Sequence, residues 1–333
     1  MKPRPFPILF ITASRIGDAV LASGLVSALA TQIPTARFTI VGSALTAPLF
    51  AHTPGLERLI VMEKRAAGGH WFELWRQVRG RRWGLVVDLR GSPISGFLRR
   101  ARRAVHRKGS IGQHKVVEAA RLLRLEGDPP APHLYTSDKI EARAEALTAG
   151  AGPILAIAPA ANWVGKTWPA ERFAAVARRL LAAGGGLAGG RLMVLGAWRD
   201  KVVTDEVKAV APSGRQIDLV GAEDLLVCYA ALKRARLFIG NDSGLMHLAA
   251  AAGIPTLGLF GPSDETAYGP WGPTARAVRG PQPFKRFLEI DPSLSQAVCH
   301  MTDLPVGTVL ASAEALIAET PPPFLQENKA MHA

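Results

Sequence analysis

Two cysteines in 333 residues, Cys228 and Cys299, are too few and too far apart for a disulfide framework, and their spacing is not that of metal ligands. The chain reads as a reduced, cytosolic one. No stretch is apolar for the length that a membrane helix needs. The run at the N-terminus, MKPRPFPILFIT, is short and leads into a loop with Arg15 and Asp18, so it reads as a first strand and not as a leader peptide. No G-x-G-x-x-G follows a strand, which leaves a nicotinamide cofactor without support. No D-x-D pair can be placed and there is no Cys/His cluster, so neither metal nor cofactor is expected. The basic residues come without a nucleic-acid-binding motif, and nucleic acid is not an expected partner.

What is present is an ordinary globular composition, 48% hydrophobic and 20% charged, in a chain long enough for two domains with a core each. The charge is uneven. Residues 1–150 carry 23 Lys+Arg against 11 Asp+Glu, and residues 151–333 carry 17 against 16. The surplus of 12 in the first half fits a nucleic acid, an anionic lipid or a phosphorylated substrate. Arg99, Arg100, Arg102, Arg103, Arg107 and Lys108 concentrate it in one run. Such a run is either a solvated face or a patch for an acceptor or membrane surface.

Apolar runs alternate with helical patterns along the whole chain. Strands are expected at 7–12, 37–41, 58–61, 84–88 and 105–111, with helices over 18–30, 71–79 and 114–125. The stiff stretch Gly127-Asp128-Pro129-Pro130-Ala131-Pro132 and the flexible Ala149-Gly150-Ala151-Gly152-Pro153 place the linker in this region. The pattern then restarts, with strands at 154–158, 191–195, 216–219, 237–239 and 256–260 and helices over 169–183, 225–235 and 306–318. Tandem β/α units mean two parallel sheets. The expected division is 1–150 and 151–320, followed by a disordered tail at 321–333.

One stretch carries the most chemistry: LFIGNDSGLMHLAAAAGIPTLGLFGPSD, residues 237–264. A strand breaks at Gly240. Asn241, Asp242 and Ser243 are all good helix N-caps, and Gly244 lets a ligand approach the backbone. A second strand ends at Gly261-Pro262-Ser263. Both polar loops fall at carboxyl ends of strands, where open α/β sheets bind ligands and helix N-termini favour anions. Asn162-Trp163-Val164-Gly165-Lys166-Thr167 follows another strand and looks like a phosphate loop. It fails the P-loop pattern because Ala160 stands where the first glycine belongs and Trp168-Pro169 follows at once.

NDSGLMHLAAAAGIPTLGLFGPSD resembles the donor-binding signature of glycosyltransferase family 9, the ADP-heptose:lipopolysaccharide heptosyltransferases. Ser14-Arg15-Ile16-Gly17-Asp18 resembles that family's SxxGD segment, Lys166 to Pro169 its K-x-W-P segment, and Asp88-Leu89-Arg90-Gly91 its D-L-Q-G turn, with Arg90 in place of glutamine. Gly24 stands where many members carry proline. The resemblance covers roughly residues 7–318. It implies a GT-B architecture: two Rossmann-like, doubly wound domains facing across a cleft, the first binding acceptor and the second donor.

The resemblance also implies site residues. Asp18 would be the general base, with an N-cap carboxylate as the alternative reading. Asn162, Lys166, Thr167, Asp200, Asp242, Ser243, Gly244 and His247 would bind the diphosphate and nucleoside of the donor. Arg15, Arg90, Arg99, Arg100, Arg102 and Arg103 would form an acceptor or membrane patch. The implied reaction is inverting, metal-independent transfer of a sugar, heptose by family, from a nucleotide diphosphate sugar such as ADP-heptose. The acceptor would be an anionic glycolipid of the lipopolysaccharide-core type, met at the cytoplasmic face of the inner membrane. A nucleotide-sugar epimerase or hydrolase of the same fold, and a non-enzymatic basic binding protein, remain the alternatives.

Overall fold

The computed structural model describes residues 4–106, 112–294 and 297–321. The chain forms two compact units that divide between Ser137 and Asp138. Arg107, Lys108 and all of the expected tail beyond Pro321 lie outside the described residues.

The first unit is built on β1 (Phe6–Ile11), β2 (Ala36–Gly42), β3 (Leu56–Val61), β4 (Trp83–Asp88) and β5 (Arg100–Val105). They form one parallel sheet in the order β3-β2-β1-β4-β5. Helices fill the crossovers, which is why the central strands are apolar on both faces. Leu9, Ile11, Val41, Val86, Leu74 and Val78 belong to its core. The chain order reverses between β1 and β4, so their carboxyl ends flank a topological switch point. Asp18 and Arg90 follow directly from those two ends.

Four expectations change here. The single helix over 18–30 is two helices, Ile16–Leu21 and Ser23–Gln32, separated at Ala22. The strand expected at 105–111 lies instead at Arg100–Val105, in the basic run itself. Its place comes from pairing with β4, Trp83 opposite Arg100 and Asp88 opposite Val105, and not from hydrophobicity. The proline-rich stretch is no linker. The Pro130 and Ala131 carbonyls press on Gly24, where any Cβ would overlap them. His133 N–H donates to Ser23 Oγ at 2.9 Å, and Leu134 is buried. That contact accounts for glycine at position 24. Lastly, Asp138–Thr148 is a helix of the second unit. Its Glu141 accepts from Lys233 Nζ at 2.8 Å and from Arg234 Nη1 at 3.3 Å. The division therefore falls earlier than the 150/151 boundary read from the sequence.

The second unit is built on β6 (Ile154–Ala158), β7 (Arg191–Gly196), β8 (Gln216–Val220), β9 (Leu237–Asn241), β10 (Thr256–Phe260) and β11 (Ala275–Arg279). The sheet is parallel, in the order β11-β10-β9-β6-β7-β8. Every residue of β6, β9 and β10 is buried. Edge strand β11, sequence ARAVR, gave no apolar run to read, nor did the helix Phe284–Ile290 stand out. The switch point lies between β6 and β9.

The last helix, Val306–Glu319, packs through Val309, Ala313 and Leu316 into the same core as the helix Ala170–Leu181. Arg236, buried just before β9, holds its end. Its Nη1 donates to Thr320 Oγ1 at 3.0 Å, and its Nη2 to the carbonyls of Ile317 and Thr320 at 2.7 and 2.5 Å. Burial pushes the guanidinium pKa down, but an arginine stays charged. Arg236→Met should leave those acceptors unmatched and lower the unfolding free energy by about 1.5–3 kcal/mol, the range for hydrogen bonds to a charged group. Urea denaturation measures this; an unchanged midpoint would show that the helix needs no such clamp.

Candidate functional site

In the second unit, the loops after β6 and β9 converge at the switch point. Lys166 sits in a short 3-10 turn, Val164–Lys166. Its Nζ lies 3.0 Å from Asp242 Oδ2, with only 18% of the lysine and 8% of the aspartate side chain exposed. His247 Nε2 is 3.9 Å from the other oxygen, Asp242 Oδ1, beyond hydrogen-bond reach but within an ionic contact when the ring is protonated. Lys166, distant in the sequence, thus joins Asp242 and His247 of one short stretch in a single cluster.

The loops hold this geometry through buried polar groups. Asn241 ends β9 and is fully buried. Its Oδ1 accepts from Trp168 N–H at 2.9 Å, and its Nδ2 donates to the Pro159 carbonyl at 2.7 Å. One amide therefore ties β9 to both ends of the Lys166 loop. Asn241 is not the N-cap: Ser243 is, with extended backbone ahead of the helix Gly244–Ala251. The Ser243 hydroxyl makes no capping bond, and its Oγ is buried without a hydrogen-bond partner. Gly244 opens the helix, half-buried.

A segment that the sequence did not single out braces the loop from the other side. His300 N–H donates to the Gly165 carbonyl at 3.0 Å. Cys299 Sγ lies 3.2 Å from the Thr167 carbonyl, and Trp168 Nε1 donates to the Leu304 carbonyl at 3.0 Å. Arg172 Nη1 reaches the carbonyls of Thr302 and Leu304 at 2.7 and 2.8 Å. These partners lie about 130 positions along the chain and share no local pattern with it. Thr167 Oγ1 turns back to the Trp163 carbonyl at 3.1 Å, while Asn162 is exposed. Asp200 follows β7, and its Oδ2 accepts from Ala197 N–H at 2.9 Å, so one oxygen is already spent on the turn. Cys228 is a core side chain: burial raises its thiol pKa to about 12, so it is no nucleophile.

In the first unit, Asp18 lies in the first turn of the helix Ile16–Leu21, half-buried, with Arg15 exposed at the N-cap. Arg90 is not on an open face. Its Nε donates to the Thr12 carbonyl at 3.0 Å, its Cζ stands 5.8 Å from the Trp71 ring centre, and its Nη2 is buried. Desolvation lowers its pKa, opposed by the charge of Asp88. Asp88 in turn shapes the bend, accepting from Arg90 N–H at 3.0 Å, Ser92 N–H at 2.9 Å and Ser92 Oγ at 2.5 Å. Arg90 therefore braces β1 against β4.

The other arginines lie on or beside the edge strand β5, where charge also deters pairing with another chain. Arg100 Nη1 donates to the Gly96 and Leu98 carbonyls at 3.0 and 2.7 Å, and Arg103 Nε to Ser95 Oγ at 3.0 Å. Arg99, Arg102 and Arg103 are exposed and Arg100 is half-buried; Phe97 is 76% exposed. Among the described residues no helix is long and apolar enough to cross a membrane, and no group of three or more His, Cys, Asp or Glu could hold a metal ion.

Comparison with known proteins gives the architecture its relatives. The structure is similar to the crystal structure of the glycosyl transferase family 9 protein from Veillonella parvula, with a TM-score of 0.78, 20% identity, and coverage of 96% of this chain and 99% of that one. It is also similar to Escherichia coli ADP-heptose lps heptosyltransferase II, with a TM-score of 0.73, 22% identity, and coverage of 94% and 99%. In sequence it is 25% identical over 314 residues to lipooligosaccharide heptosyltransferase 2 of Haemophilus influenzae, covering 82% of this chain and 88% of the relative. The family described as glycosyltransferase family 9 (heptosyltransferase) matches residues 110–293, more than half of the chain, and the two parallel α/β sheets agree with that match. The chain belongs to glycosyltransferase family 9.

Proposed function

We propose that this protein transfers a heptose from a nucleotide diphosphate sugar of the ADP-heptose type to an anionic glycolipid acceptor of the lipopolysaccharide core, with inversion and without a metal ion. The relatives' names supply the substrate class. The observation that carries the donor side is the Lys166–Asp242–His247 cluster beside the N-terminus of the helix Gly244–Ala251. Asp242 holds the Lys166 ammonium at the carboxyl edge of β6 and β9, where a diphosphate would add its own negative charge. The Ser243 hydroxyl and the first N–H groups of that helix add donors to the same spot.

In this reading Asp18 takes the proton from the acceptor hydroxyl as its oxygen bonds to the anomeric carbon. The bond to the diphosphate breaks on the opposite face, and its electron pair leaves with the diphosphate. Lys166 and the helix N-terminus stabilise that leaving charge electrostatically, in place of a metal. Proton transfer late in the reaction, once the oxygen is already bonding to the sugar carbon, asks little basicity of a carboxylate already in place.

Asp18→Asn should keep donor binding and lose about 10²–10⁴ in turnover, as expected for a positioned base. Product formation in a radiolabelled transfer assay, with EDTA present throughout, reads both claims: near-normal turnover in the folded variant removes Asp18 from the chemistry, and loss of wild-type activity in EDTA points to a metal.

Lys166→Ala and Asp242→Ala should each weaken binding of ADP by at least tenfold in calorimetry, while circular dichroism stays unchanged. Each removes half of a charge pair that the ligand shares, and hydrogen bonds to charged groups contribute about 1.5–3 kcal/mol. Unchanged affinity in either variant makes that residue purely structural.

The acceptor half would meet the anionic cytoplasmic surface of the inner membrane through its basic residues. Since Arg100 and Arg103 are spent on their own loop and Arg99 and Arg102 are not so engaged, the two pairs should behave differently. Each basic side chain near an anionic surface contributes about 1 kcal/mol, screened by salt. Arg99→Gln with Arg102→Gln should weaken binding to phosphatidylglycerol vesicles roughly thirtyfold at low salt. Arg100→Gln with Arg103→Gln should lose stability first. Equal vesicle binding by wild type and the first double variant would make the run a solvated edge.

A further inference from the structure

An acid and an imidazole lie buried together behind the donor cluster. Asp291 follows the helix Phe284–Ile290, and its side chain is 1% exposed. The His300 side chain is 7% exposed; its Nε2 stands 3.8 Å from Asp291 Oδ2 and makes no hydrogen bond. The contact is ionic when the ring is protonated. Ser293 Oγ donates to the other carboxylate oxygen, Asp291 Oδ1, at 3.1 Å. A carboxylate this deep is costly unless a cation meets it, and a protonated His300 is such a cation.

The ring belongs to a layered contact that ends on the lysine loop. Its centre is 5.8 Å from the Phe287 ring, edge to face, and 5.8 Å from the Trp163 ring, tilted by 56°. The Trp163 indole in turn folds over Gly165 so closely that a Cβ there would overlap it. His300 N–H donates to the Gly165 carbonyl at 3.0 Å. Lys166 is the next residue, at the end of the turn Val164–Lys166. His300 therefore meets this loop with both its backbone and its ring, and Asp291 sets the ring. We infer that His300, held by Asp291, is a positioning residue for Lys166: the pair seats Trp163 on Gly165 and so keeps the lysine ammonium at Asp242, where the donor diphosphate needs it. This rests on the nucleotide-sugar reading above, and adds to it the groups that hold its central cation in place. The backbone bond from His300 survives a change of side chain, so the contribution of the ring can be measured by itself.

Calorimetry with ADP and inorganic pyrophosphate tests this, with circular dichroism as the check of folding. Asp291→Asn and His300→Gln should each weaken ADP about 3- to 30-fold, within the range of coupling between neighbours in one network, and the double variant should lose little more than either. Pyrophosphate should weaken by the same factor, because Lys166 serves the diphosphate. In a Lys166→Ala background, His300→Gln should cost nothing further, which a general loosening of the unit would not give. His300→Phe keeps a ring between Trp163 and Phe287 and should still lose affinity. Full ADP affinity in folded Asp291→Asn or His300→Gln overturns the role, and full affinity in His300→Phe overturns the pairing with Asp291. An equal further loss in the Lys166→Ala background, or failure of all three single variants to fold, also overturns it, since the pair then supports the whole unit and not the lysine. If wild type binds neither ADP nor pyrophosphate, the donor reading fails and this inference fails with it.

Discussion

A fully buried amide is costly to leave without hydrogen bonds, and Asn241 is matched here by two backbone groups of one loop. The Pro159 carbonyl and the Trp168 N–H must both come to it, 2.7 and 2.9 Å away. Those groups bracket the loop from 159 to 168, so satisfying Asn241 fixes the loop against the end of β9. Lys166 inside the loop and Asp242 next to Asn241 are then within 3.0 Å of one another. Trp168 locks the far side through Leu304, its ring edge-on to Phe173 at 4.9 Å. The charge pair is thus a consequence of the amide's needs. An exposed lysine–aspartate pair gains little in water, and a buried one must also offset its desolvation, so it is the loops and not the charges' own attraction that hold this pair together.

The same logic divides the basic residues of the first unit into two kinds. Arg90, Arg100 and Arg103 give N–H groups to their own backbone or to Ser95, and so act as fasteners. Arg99 and Arg102 project their charge outward on or beside an edge strand. Net charge counts both kinds alike, so the surplus in residues 1–150 overstates what a partner would meet. Arg99 and Arg102 share the outward-facing charge with Arg15, Lys64, Arg65, Arg76, Arg79 and Arg82, and Arg103 stays exposed while it bonds Ser95.

Much of the fold was legible, for a physical reason. A strand buried on both faces must be largely apolar, so ILAIA at β6 and TLGLF at β10 are legible with their observed bounds. Edge strands carry no such demand. RARRAV at β5 and ARAVR at β11 are mostly charged or small, and one was misplaced and the other unseen. The proline-rich 127–132 stretch looked like a spacer because its composition forbids a helix. Nothing local could say that its carbonyls would rest on Gly24. Asp138–Thr148 was taken into a linker region, since its attachment is an ion-pair contact with Lys233 and Arg234, more than 90 positions away.

The α/β class and the family resemblance are legible in the residues alone, because loops that must bend, cap and admit a ligand after a buried strand allow few residue types. NDSG after LFIG and K-x-W-P after ILAIAPA are such loops. The sequence also named Lys166, Asp242 and His247 separately. That Lys166 joins Asp242 and His247 in one cluster, that Asn241 and the segment from Cys299 to Leu304 hold it, and that Arg90 is a fastener and not an open charge came only with the fold. Each of those facts is a hydrogen bond or ion pair between residues distant in the chain. Such a bond depends on where two loops end in space, and local pattern carries no record of that.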